Sequence, residues 1–196
     1  SQGWLINCPI WNKDLISLTR ELGFQPLKRC KSWSLNKSSK AKFLSTNNFC
    51  YPPALSWEKL SKKNASLLLR LKQVHEPAQL RQIVDLQLVD LLEKTHKSEG
   101  LIIASNDSQL SGIAGLINNF SIESQNSYQL VKDLAWDMRL TKAIPSMLHN
   151  LVTSNPDIII DINNDDEKLN EIFKSHYWEE INEVIILGRS IWKRKI

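Results

Sequence analysis

The residues of this chain that could do chemistry are few and scattered. Three cysteines, Cys8, Cys30 and Cys50, are odd in number and lack CxxC spacing. That pattern reads as reduced structural thiols in a cytoplasmic protein, not as a disulfide framework. Four histidines, His75, His96, His149 and His176, make no HxxxH or HxH pair, so zinc-ligand spacing is absent. No serine or cysteine has a histidine at a spacing that suggests a nucleophile and its base. What the chain does carry is an uneven charge. Residues 1–72 hold 13 Lys/Arg against 3 Asp/Glu, and residues 73–196 hold 12 against 18. The surplus lies in Lys28-Arg29, Lys31, Lys37, Lys40, Lys42, Lys59 and Lys62-Lys63. Such a run attracts nucleic acid or an acidic partner. It equally reads as a solvated linker facing the acidic half of the same molecule, and no nucleic-acid-binding motif accompanies it.

The elements that would position any site follow from periodicity. With 196 residues, 42% of them apolar, the chain can bury one domain and part of another. No apolar run approaches the roughly 18 residues of a membrane span, and no basic-then-apolar leader opens the chain. Residues 3–8 predict a strand ended by Pro9. Leu15, Leu18 and Leu22 predict a helix, capped by Asn12 and stopped by Gly23. Residues 27–35 predict a second strand. The Ser/Lys/Asn-rich stretch 36–48 reads as linker, and 49–57, broken by Pro52-Pro53, as an extended docked segment. Beyond it, strands are predicted at 67–74, 100–105, 110–117, 128–136, 157–162 and 184–192, with a hairpin turn at 106–108. Helices are predicted from Pro77 through Leu92, over 140–152, and around Leu169, Ile172 and Phe173. This is an α/β (α+β) chain with a mixed, mostly antiparallel sheet flanked by helices.

An internal repeat runs through the pattern. An offset of 154 places Phe24 over Trp178, Leu5 over Ile159, Leu15 over Leu169, Leu18 over Ile172 and Leu27 over Ile181. Residues 3–35 thus read as a second copy of 157–189, each a strand, a helix, an aromatic and a strand. The closing segment "DIIIDINNDDEKLNEIFKSHYWEEINEVIILGRSIW", the signature Leu22-Gly23-Phe24 and the hairpin "GLIIASNDSQLSGIAGLI" together resemble the GNAT (N-acetyltransferase) superfamily. The resemblance implies three parts. Residues 1–35 would be the β-α-β tail of a preceding GNAT-like module, 36–64 a basic linker, and 65–196 a complete GNAT-like domain. The chain would then be the C-terminal part of a tandem protein, its partner being the upstream module of the same parent chain.

The resemblance also implies a site. GNAT enzymes cradle the CoA pyrophosphate on backbone N–H groups at a helix start, through an Arg-Gly-x-Gly-x-Gly/Ala loop. Aligned on Met147-Leu148, Arg139 takes the family's Arg, while Leu140, Lys142 and Ile144 take the glycine positions. Trp136, Arg139, Thr141, Lys142 and Ala143 are the residues the resemblance places around acetyl-CoA. With no glycine left and Pro145 removing a donor, binding is expected to be weak or absent. The same stretch also reads as an ordinary amphipathic helix start. The family's acidic Tyr falls on Phe173 in one copy and on Thr19 in the other, and Phe173 cannot protonate a thiolate. Asn12 and Asp166 match the family's loop Asn and read as well as helix caps. Asp107 lies in a turn, so the general acid and base stay unassigned. Three functions follow as expectations: a GNAT-like module with a degenerate site that supports an upstream one, an active acetyl-CoA-dependent transferase to an unknown amine, or an adaptor acting through the basic stretch 28–72.

Overall fold

A computed structural model describes residues 2–46, 49–93, 99–106, 109–118, 126–155 and 157–191. In chain order the elements are β1 (Gln2–Pro9), α1 (Lys13–Glu21), β2 (Gln25–Ser34), α2 (Lys37–Ser45), β3 (Leu55–Lys59), α3 (Ala65–His75), α4 (Ala78–Ile83), α5 (Leu88–Glu93), β4 (Gly100–Asn106), β5 (Gln109–Asn118), β6 (Ser127–Lys132), α6 (Leu140–Ser154), β7 (Ile159–Asn163), α7 (Glu167–Ser175) and β8 (Glu179–Ile191). All eight strands join one sheet in the order β1-β8-β2-β7-β6-β5-β4-β3. Every neighbouring pair is antiparallel except β6 and β7. This is the mixed, mostly antiparallel α/β architecture expected from the periodicity.

The two β-α-β segments are built from the same local code. The Asn12 carboxamide accepts the Leu15 N–H at 3.1 Å, and the Asp166 carboxylate accepts the Leu169 N–H at 3.1 Å. Each cap satisfies one of the donors that a helix start leaves open. At the other end, Phe24 N–H reaches the Thr19 carbonyl at 3.1 Å and Trp178 N–H reaches the Phe173 carbonyl at 3.1 Å. The residues before them, Gly23 and Tyr177, both take positive φ, 83° and 66°, the left-handed conformation that ends a helix. Phe24 and Trp178 are both buried at the foot of their helices.

The repeat extends to the ladders. In the β1–β8 ladder Cys8 faces Ile185 and Leu5 faces Gly188. Shifted by 154, those pairs become Ile162 with Lys31 and Ile159 with Ser34, which are pairs of the β2–β7 ladder. Between β2 and β8, Cys30 faces Val184, its own counterpart. The sheet therefore has a local two-fold axis at that pair. Each segment's second strand is inserted beside the first strand of the other, so neither segment forms a hairpin of its own.

Side chains alternate across the sheet. On one face α2, α6 and α7 cover a core with Trp33, Phe43, Leu140, Leu148, Ile160, Ile162 and Phe173. Trp33 and Trp178 each lie within 6 Å of the Phe173 ring, at 5.6 and 5.2 Å. On the other face α3 and α5 pack Leu68, Leu71 and Leu91 against Leu101, Ile103 and Val131.

Several sequence expectations are corrected. Residues 67–74 are not a strand but most of α3. Leucine is a strong helix former, and the run has no β-branched residue before Val74. Leu68 and Leu71, one turn apart, are the buried pair. The single helix expected from Pro77 is two short ones, α4 and α5, and Val84 and Leu88 of its apolar stripe are exposed. The stretch read as linker holds α2, capped by Asn36 at Ser39 N–H (2.8 Å), and the edge strand β3 on β4. Its polar composition hides one anchor, Phe43, fully buried between Phe49 and Trp178. The strand expected at 128–136 ends at Lys132, and that at 184–192 begins at Glu179. Trp192, His96 and the turn residues Asp107 and Ser108 lie outside the described residues.

Candidate functional site

A helix start binds an anion only if its first N–H groups are free and reachable. The start of α6 fails the first condition. Leu140 N–H donates to the Asp137 carbonyl (2.9 Å), Thr141 to Met138 (3.3 Å), and Lys142 and Ala143 both to Arg139 (3.1 and 3.0 Å). A tight turn at Asp137–Arg139 thus uses the donors that would cradle a pyrophosphate. Arg139 N–H, the next one back, donates to the Asp137 carboxylate at 2.9 Å. That carboxylate also receives the Arg139 guanidinium, at 2.6 to 3.1 Å over three contacts. The guanidinium hydrogen bonds hold Asp137 below the usual carboxylate range. The chain therefore places its own anion at this helix end and pairs it with the cation the sequence assigned to a ligand.

The other residues assigned to this site are spread apart. Thr141 and Lys142 are exposed, whereas Ala143 is buried with Leu140 and Ile144 in the core under α6. Leu140 and Ile144, at two of the glycine positions, thus point inward and do not stand in front of the backbone donors. Pro145 lies inside α6, beyond its first turn, so it removes no donor from the helix start. Trp136 is half-buried, with Lys132 Nζ 5.6 Å and Lys168 Nζ 5.1 Å from its ring centre, within range of cation–π attraction.

The parallel ladder of β6 and β7 is short. It pairs Ser127, Tyr128 and Gln129 with Ile159, Ile160 and Asp161. Beyond it, Lys132 Nζ meets the Asp166 carboxylate at 3.0 Å, with both side chains mostly buried. One carboxylate therefore both caps α7 and closes the far end of the strand pair. His75 faces this ion pair across a hollow of about 360 Å³. Burial, then the nearby Lys28, Lys72 and Lys132, pushes His75 down to about 3, so its imidazole is neutral at pH 7. Phe173 is enclosed in the core, and the Thr19 hydroxyl donates back to the Leu15 and Ile16 carbonyls at 2.9 Å each. Neither holds a proton ready for transfer. Asn12 and Asp166 are helix caps, as one of their two readings expected.

Sequence reasoning missed Asp137, although an Asp two residues before the Arg of a helix start is an N-terminal capping signal. It also missed that Lys28 is buried.

These features can be set beside known proteins. No family model matches the chain, and no curated protein matches it. Solved structures do. A GCN5-related N-acetyltransferase from Sphaerobacter thermophilus superposes with a TM-score of 0.59 at 6% identity, over 96% of this chain and 60% of that one. The fold is that of the GNAT acetyltransferases. A Drosophila protein superposes with a TM-score of 0.60 at 16% identity, over 97% of this chain and 61% of the other. A tandem GNAT protein from the clavulanic acid biosynthesis pathway gives 0.55 at 8% identity, over 95% and 63%. The chain thus spans about 60% of the length of these structures. Identities this low speak to fold alone. No helix among the described residues is long and apolar enough to cross a membrane.

Proposed function

We propose that this chain is the C-terminal part of a tandem N-acetyltransferase-like protein of the GNAT superfamily, with a degenerate acetyl-CoA loop in this module. Its role is then to support an upstream module that handles acetyl-CoA and an amine acceptor. The observation that carries the reading is the start of α6. Four N–H groups there are bonded to carbonyls and Arg139 is neutralised by Asp137. An incoming pyrophosphate would have to displace a bonded carboxylate and unwind a turn before gaining its own contacts. One or two partly exposed contacts to Lys142 supply roughly 1–3 kcal/mol, too little to offset that.

The local two-fold of the sheet supports a place for an upstream module. In the complete half, β7 is followed by the parallel partner β6. Moved by the local two-fold, the same partner would lie parallel to β1 at Leu5, Ile6 and Asn7. The outer face of α1 agrees with this. Leu18 is 53% exposed, while its counterpart Ile172 is 5% exposed beneath the neighbouring core. Its cysteines are free thiols, which suits a reducing compartment, the cytoplasm.

Isothermal titration with CoA tests the reading. The expected Kd is weaker than about 100 μM, roughly −5.5 kcal/mol. Tighter binding that is lost in Arg139→Ala with Lys142→Ala would overturn it in favour of an active transferase. Asp137→Ala frees both Arg139 and its N–H and should strengthen CoA binding by up to about tenfold, the value of one charge-assisted contact.

A further inference from the structure

One side of α1 carries an apolar stripe that nothing among the described residues covers. Ile16 and Arg20 turn toward β2, where they line a hollow with Pro26 and Leu27. At about 100° per residue, Leu18 and Leu22 then point the other way, toward β1 and the open edge of the sheet, with Leu15 beside them. Trp11 precedes them at the same spacing. Trp4 adds to this face. It stands opposite Arg189 in the β1–β8 ladder, and the Arg189 guanidinium donates to the Leu22 carbonyl at 2.7 Å across the end of α1. Trp4 is 62% exposed and Trp11 74%, with Leu18 and Leu22 at 53% each. Large apolar side chains grouped in this way mark a contact surface.

The second copy shows what covers such a face. Trp4 and Leu18 correspond to Ile158 and Ile172, both buried in the core that α6 covers. Lys168, the counterpart of Asp14, lies 5.1 Å from the ring centre of Trp136, just before α6. In the first copy that charge is reversed. Asp14 and Glu21 come one residue before Leu15 and Leu22, so they share one flank of the stripe, on the side away from the sheet. Both are exposed, and neither forms a salt bridge among the described residues. We infer that this stripe docks an amphipathic helix of the upstream module, its aliphatic face on Trp4, Leu18 and Leu22 and a Lys or Arg flank on Asp14 and Glu21. The source of the helix rests on the tandem reading above; its chemistry rests on α1. The acidic flank decides against a second copy of this chain. Two-fold pairing of the β1 edges would lay two α1 helices antiparallel and bring Asp14 against the partner's Glu21, a like-charge contact. A basic-flanked helix gains at the same two positions. The edge strand agrees. β1 carries no charged residue from Gln2 to Pro9, whereas β3, at the other edge, is blunted by Glu58 and Lys59.

The probe is a hydrocarbon-stapled helix of about four turns, with leucines along one face and lysines on its flank. Its match carries glutamates in place of the lysines. Stapling keeps so short a helix formed in water. Titrated into the unmodified chain, the lysine peptide should bind at least about fivefold more tightly than the glutamate peptide, and the preference should narrow as salt rises. The indole N–H resonances of Trp4 and Trp11 should move, while those of the buried Trp33 and Trp178 stay in place. Asp14→Lys with Glu21→Lys should invert the preference. Leu18→Glu, at an exposed position, should weaken both peptides at least about tenfold. In the parent chain with its upstream module, hydroxyl-radical oxidation of Trp11 should drop well below its rate in this chain. Equal affinity for the two peptides, or an unchanged preference in the double variant, overturns the proposal. So does a self-associated chain that Leu18→Glu makes monomeric, which would put a second copy on the stripe. Equal oxidation of Trp11 in both chains overturns the upstream source. The tandem reading fails by CoA titration and the docking surface by the peptides, so the two failures are told apart.

Discussion

Residues 3–35 and 157–189 share a capping geometry, a helix stop and a ladder register, yet they serve different surroundings. The second copy is enclosed: Leu169, Ile172, Phe173 and Trp178 all belong to the main core. The first copy sends Trp33 into that core, but its helix α1 closes only a small cluster of Cys8, Phe24, Ile185 and Leu187, and Trp11, Leu18 and Leu22 stay exposed. Local code therefore specifies the β-α-β unit, and the neighbours decide what each position contributes. Equivalent substitutions in the two copies separate these layers.

The largest contrast should come from the aromatic feet. Trp178→Ala removes an indole packed on Phe173 and Phe43 and should cost about 4–5 kcal/mol in urea unfolding, against about 3 for Phe24→Ala. Equal losses would mean that cluster size does not matter at these positions. A loss under about 1 kcal/mol for Trp178→Ala would remove the packing argument altogether. Next come the helix faces. Ile172→Ala should cost about 2–4 kcal/mol and Leu18→Ala less than about 0.5. If Leu18→Ala costs as much as Ile172→Ala in the isolated chain, the outer face of α1 is already covered, and the proposed place for an upstream module is lost.

The caps should differ less. Asn12→Ala loses one side-chain hydrogen bond and should cost about 1 kcal/mol. Asp166→Ala loses the same bond and also the ion pair to Lys132. It leaves a mostly buried ammonium without its carboxylate, so the expected cost is about 2–3 kcal/mol. Asp166→Asn restores the cap and not the charge, and should recover about 1 kcal/mol of that. Full recovery by Asn would show that the ion pair contributes nothing.

How far the sequence revealed this follows from which signals are local. The strand-helix-aromatic-strand repeat was legible because caps, stops and apolar spacing all lie within a few residues. The inserted order of β2 between β7 and β8 was not, since nothing in either segment says which neighbour its last strand takes. Leu67-Leu68-Leu69 misled because a short continuous apolar run carries no period. Lys28-Arg29-Lys31 read as one basic run, but the pleat divides it. Lys28 turns inward, Arg29 is exposed, and Lys31 pairs with Glu180 at 2.9 Å. The helix start at Arg139 was located correctly from the pattern around Met147-Leu148. That its donors are taken by a turn, and its cation by Asp137, needed coordinates.

The smallest contrast concerns the helix stops. Gly23 and Tyr177 occupy the same left-handed position, at φ 83° and 66°. For a residue with a Cβ that conformation costs roughly 1–2 kcal/mol, and for glycine nothing. Tyr177→Gly should therefore gain about 1 kcal/mol. Against this stands the loss of the Tyr177 ring, 6.0 Å from Lys42 Nζ and half exposed, worth about 0.5 kcal/mol. The expected net is a stabilisation of about 0.5 kcal/mol, or a rise of roughly 1–2 °C in midpoint for a chain of this size. Gly23→Ala is the reverse experiment. An added Cβ there meets nothing nearer than Arg189 Nε at 3.7 Å, so its cost, about 1 kcal/mol, would come from φ alone. If Tyr177→Gly destabilises while Gly23→Ala behaves as expected, the tyrosine ring holds α2 against α7 more firmly than the exposed geometry implies, and the two stops are not equivalent.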